Sequence, residues 1–128
     1  MKIQYASDLH LEFAENNSFI EHGGIEPVGD VLALAASTAE HKVVVTHHCP
    51  TMRKEFNSYP GGSLNSAFQV DLDAFIEESG VDYWVYGHTH YAGGSGTKIG
   101  NTTLLCNQLG YVFHNEHLDF DGKACIEV

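Results

Sequence analysis

The chain has little positive charge. Six Lys and Arg stand against seventeen Asp and Glu, giving a formal net charge of -11. Such a balance argues against a non-specific nucleic-acid or anionic-membrane binder, which needs a basic face. It leaves a phosphate substrate open, because a bound divalent metal reverses the local potential. Long apolar runs are absent, and none approaches transmembrane length. Val31 to Ser37 resembles a signal-peptide core, but Glu26 and Asp30 precede it in place of a basic region, so it reads as a strand. Cysteine is scarce: Cys49, Cys106 and Cys125 form no CxxC, and the odd count argues against a disulfide framework. Cys106 and Cys125 read as small core residues, while Cys49, following His47-His48, is conceivable as a thiolate metal ligand. The expected location is cytoplasmic. No phosphate-loop pattern, internal repeat, low-complexity tract or linker interrupts the chain.

What remains is a globular composition, 43% hydrophobic and 18% charged over 128 residues. That length suggests one domain, residues 1–128. Strands are expected at 2–7, 31–36, 42–46 and 81–86, and further strand-like runs at 97–99, 102–106 and 109–113. A short helix over 14–22 should bury Phe19 and Ile20. A second, Asp71 to Ser79, should bury Leu72, Phe75 and Ile76 at i, i+3, i+4 and stop at Gly80. Residues 50–66, with Pro50, Pro60, Gly61 and Gly62, read as a long loop over the site. Asp121-Gly122 signals a hairpin between 117–120 and 123–128. The sum is a mixed α/β layered domain.

Nine histidines are many for this length. His22, His41, His114 and His117 read as scattered surface residues. The others follow short β-branched or aromatic runs. Ile3 to Ala6 leads into Asp8-Leu9-His10, Val43 to Thr46 into His47-His48, and Val81 to Tyr86 into Gly87-His88-Thr89-His90. Ligands collect outside the carboxyl ends of strands in open α/β sheets. Imidazole with carboxylate suits transition metals better than calcium or magnesium. In an extended chain, His88 and His90 would point to one side.

These motifs resemble the calcineurin-like metallophosphoesterase family. Asp8 and His10 match its opening Asp-x-His, His47 its late strand-end histidine, and His88 and His90 its closing Gly-His-x-His. Asn107 to Tyr111 resembles the segment that commonly follows. The resemblance implies a reduced metallophosphoesterase-like layered α/β-sandwich of mixed sheets with few helices. It further implies a two-metal site that hydrolyses phosphate esters with metal-activated water. Asp8, His10 and His90 would hold the first metal, and His47 and His88 the second.

Two family motifs are missing. The second strand ends in Ser37 where the family has a bridging Asp, and Gly29-Asp30 precedes that strand. The family's Gly-Asn-His-Asp/Glu tetrad has no counterpart. The chain therefore reads as an internally shortened member. One firm and one weak site for Mn, Fe, Ni or Zn are expected, and a homodimer or higher oligomer covering surface left by the missing block. His48 is the nearest candidate general acid. Esters with good leaving groups should react best. The alternatives are a catalytically degenerate metal-binding or assembly protein and a closed structural zinc site.

Overall fold

The computed structural model describes residues 2–4, 9–10, 12–24, 41–56 and 67–128. The expected strand at 31–36, Asp30, Ser37 and Asp8 lie outside the described residues. The elements are β1 (Lys2–Gln4), α1 (Ala14–Phe19), β2 (Val43–Val45), α2 (Asp73–Ser79), β3 (Tyr83–Tyr86), β4 (Lys98–Ile99), β5 (Thr102–Cys106) and β6 (Cys125–Glu127). Four strands form one sheet in the order β2-β3-β5-β4. β3 runs parallel to both β2 and β5, while β4 is antiparallel to β5. β1 and β6 form a separate antiparallel pair. Among the described residues no helix is long and apolar enough to cross a membrane.

Alternation along the strands builds two cores. Trp84 and Tyr86 of β3 and Leu104 and Cys106 of β5 face one way, packing with Ile76 of α2, Phe56, Ile99 and Cys49. Val43 and Val85 face the other way and pack with Ile126 of β6, joined by Tyr83, Leu105 and Val128. The sheet is thus covered on both faces, as parallel strands require. Phe56 lies so close to the chain at Gly94 that a Cβ there would stand 2.2 Å from its ring. Trp84 is a core residue, and its Nε1–H donates to Thr46 Oγ1 at 3.0 Å.

Several local expectations are corrected. α1 buries Asn16 rather than Phe19 and Ile20, which are only half-buried. Asn16 reaches two separate loops: Nδ2 donates to Leu9 O at 2.9 Å and Gly110 O at 2.6 Å, and Oδ1 accepts from Val112 N at 3.2 Å. α2 stops at Gly80, in the left-handed region, as expected, but Phe75 is 61% exposed while Ile76 is 1% exposed. In a helix this short, Leu72 and Ile76 take the sheet, and Phe75 leans its ring on the edge of Trp84. Residues 109–113 form no strand; a 3-10 turn spans Val112–His114. The hairpin at Asp121-Gly122 is also absent. A 3-10 turn covers Glu116–Asp119, Asp121 Oδ1 accepts from Lys123 N, and β6 pairs with β1 instead. Arg53 is drawn back to the body, its Nε donating to Asp73 Oδ2 at 2.7 Å.

The two faces of α2 give a direct test. Ile76→Ala is expected to cost about 2–5 kcal/mol, the range for a buried aliphatic truncation. Phe75→Ala should cost less than about 1 kcal/mol, near the surface-site range. Urea unfolding of both variants checks this, and equal losses would contradict the assigned face.

Candidate metal centre

Because β2, β3 and β5 are parallel, their carboxyl ends share one edge of the sheet. His47 and His48 follow β2, Gly87 to His90 follow β3, and Asn107 and Gln108 follow β5. The edge is laced by backbone: Gly87 N donates to His47 O at 2.9 Å, and Thr46 N to Val85 O at 2.9 Å. Gln108 holds the histidine loop from below. Its Oε1 accepts from His90 N at 2.7 Å, and its Nε2 donates to Thr89 Oγ1 at 2.9 Å. Asn107, its neighbour, is committed elsewhere, to the backbone of Asp121.

His88 and His90 do not point to one side. Both have left-handed backbone, with φ of 70° and 49°, and the period-two rule of an extended chain fails there. Each ring joins a different group. His88 stands against His47 and His48, with ring centroids 4.5 and 4.7 Å away, and Phe68 stacks on it at 4.9 Å. His90 stands against His10 and Tyr111, at 4.9 and 4.8 Å. His10 is also left-handed, at φ 47°. Of the four described non-glycine residues with positive φ, three are therefore candidate ligands. Such backbone costs on the order of 1–2 kcal/mol per residue and gathers at functional sites.

The contact between His10 and His90 is chemically specific. Their Nε2 atoms are 3.0 Å apart. Each Nδ1 faces a carboxylate: His10 Nδ1 meets Glu12 Oε1 at 3.0 Å, and His90 Nδ1 meets Glu116 Oε2 at 2.8 Å. A carboxylate accepts, so each Nδ1 carries a proton and the two Nε2 atoms face each other. Two Nε2 atoms at this distance are bridged by a positive charge, either a shared proton or a metal ion. Converging imidazole nitrogens beside a carboxylate are donors that transition metals take. The donor set thus fits a divalent transition metal. Among the described residues no group of three or more His, Cys, Asp and Glu is placed to hold one ion. Asp8, the carboxylate of the opening Asp-x-His, lies outside them.

The chain matches the calcineurin-like phosphoesterase family over residues 1–92 and belongs to that family. It is similar to the uncharacterized protein L509 of Acanthamoeba polyphaga mimivirus, 26% identical over 110 residues. That match covers 80% of this chain but 38% of the relative, so the chain spans well under half of the relative's length. No solved structure matches the chain.

Cys49, next to the His47-His48 pair, is not available as a thiolate. It is fully buried, its Sγ–H donates to Thr51 O at 3.6 Å, and burial pushes its thiol up to about 11 from an ordinary value near 9. The folded chain therefore holds this proton more tightly than the unfolded chain. Its contribution to stability is full below about pH 9 and falls away as pH rises toward about 11. Iodoacetamide at pH 8 is expected to label the folded protein at the exposed Cys125 alone, and all three thiols after unfolding. Labelling of Cys49 in the folded protein would contradict this environment.

Proposed function

We propose that this protein is a divalent-metal-dependent phosphoester hydrolase. The observation that carries the reading is the convergence of His10 and His90 Nε2 at 3.0 Å, each Nδ1 turned to a carboxylate. His10 and His90 would hold one metal with Asp8, and His47 and His88 would hold a second, more weakly. When bound, such ions neutralise phosphate charge and lower the pKa of water toward neutral. The candidate ions are Mn, Fe, Ni and Zn, by the chemistry of imidazole with carboxylate.

The chain's own residues supply orientation and proton handling. Gln108 fixes the backbone of His90, and the left-handed backbone at His88 and His90 separates their rings. His48 is exposed, with its ring 4.7 Å from that of His88. There it is the candidate to protonate a leaving oxygen beside the second pair. The tetrad that supplies the family's general acid is missing, so activated diesters should react more readily than alkyl monoesters. Association into a homodimer belongs to the same reading, motivated by the missing internal block, whose loss would expose apolar surface.

One observation favours a second reading. The described residues bring imidazoles together in twos and threes but complete no three-donor group that could hold an ion. An assembly protein without turnover would need no more.

The two separate on turnover. Chelated protein resupplied with Mn2+, Ni2+ or Zn2+ is expected to hydrolyse bis(p-nitrophenyl) phosphate. Asp8→Ala and His90→Ala should each lower kcat/KM by about a hundredfold or more, in line with loss of metal-centred electrostatic stabilisation. Absence of turnover with every metal, from protein that circular dichroism shows to be folded, would favour the second reading.

A further inference from the structure

Glu116 lies beyond the family-matched residues 1–92, in a segment with no recognisable motif. Its position is nevertheless highly determined. Oε2 accepts two hydrogen bonds, from His90 Nδ1 at 2.8 Å and from Tyr111 N at 2.7 Å. The seat for this carboxylate is Gly110, at φ 64°; a Cβ there would stand 2.6 Å from Oε2. Asn115, immediately before Glu116, is the fourth left-handed non-glycine residue, at φ 63°. Asn tolerates that conformation better than most residues. The seat is in turn tied to the His10 side of the site, because Asn16 bonds both Leu9 O and Gly110 O. Four features of the chain thus converge on where one carboxylate oxygen sits.

Glu12 makes the same kind of contact with His10, but under weaker constraint. It is two residues from its partner and its side chain is 64% exposed, against 29% for Glu116. Water competes more strongly for an exposed carboxylate than for one held by a backbone N–H and a glycine seat.

We propose that Glu116 is the positioning residue of the metal centre, and that it commits His90 to the tautomer whose Nε2 faces His10. The inference rests on the metal-site reading above. A ligand imidazole whose other nitrogen is anchored keeps its ring orientation and gains basicity, and losing such an anchor typically costs 10–100-fold in metal affinity. Glu116 touches neither substrate nor reacting atoms, so its action runs through His90.

The test is Mn2+ affinity by calorimetry, beside the His90 tautomer read from 15N–1H correlation spectra of the metal-free protein at alkaline pH. Glu116→Ala is expected to weaken Mn2+ binding roughly 10–100-fold and to move His90 toward the Nε2–H form. Glu116→Gln keeps an oxygen for both N–H groups. It should retain the tautomer, match the parent's melting midpoint in chelator, and lose affinity only several-fold. It also carries the test if Glu116→Ala does not fold. Glu78→Ala, on the exposed face of α2, is the control and should bind as the parent does. A purely structural role would lower the melting midpoint and leave affinity and tautomer where they were, and that result would overturn the proposal. If the unmodified protein binds no Mn2+, the metal-site reading fails and this one with it. If it binds Mn2+ equally well with and without Glu116, only this inference fails.

Discussion

Two imidazole lone pairs do not rest 3.0 Å apart without a positive charge between them. Much of the described architecture serves to impose that arrangement on His10 and His90. Both residues are held in left-handed backbone that an ordinary side chain avoids. Both have the far nitrogen turned to a carboxylate, which leaves Nε2 of each ring facing the other. Tyr111 closes against both rings, 4.6 Å from His10 and 4.8 Å from His90. His90 donates its backbone N–H to Gln108 Oε1 and its ring Nδ1–H to Glu116 Oε2, and these two bonds fix the loop and the ring.

The constraint reaches into the core through β3. This strand lies between two parallel neighbours, and its buried Trp84, Val85 and Tyr86 pack on both faces of the sheet. Its carboxyl end is therefore among the best-fixed points of the described structure. The next residues, Gly87 to His90, inherit that position and distribute two rings to two groups. His88 goes to the histidines after β2, and His90 goes to His10. One strand end serves both groups, so their relative placement follows from four residues of chain.

The parts of this arrangement legible in the sequence are those with local signals. Short runs such as Val43 to Val45 and Tyr83 to Tyr86 announce strands, though Val45 on the outer strand of the described sheet is exposed, and histidines directly after them fall at the sheet edge. Gly80 after an apolar i, i+4 pair ends α2 where expected. The illegible parts depend on distant partners or unusual backbone. The split between His88 and His90 comes from positive φ, which composition does not reveal at a histidine. The Asp121-Gly122 signal failed because Asn107 takes the Asp121 backbone and β6 finds β1 at the far end of the chain. Glu116 carries no motif and sits 26 residues from His90, so only folding shows their contact. Asn16 carries no local signal, yet it is fully buried because three loop groups need its amide.

The most direct test of this account is a crystal structure of the protein grown with Mn2+, with anomalous scattering recorded to locate the metal. The account predicts an anomalous peak bonded to Nε2 of both His10 and His90, with Glu116 still on His90 Nδ1. Well-ordered His10 and His90 rings bonded directly to each other, with no peak between them at saturating Mn2+, would contradict it.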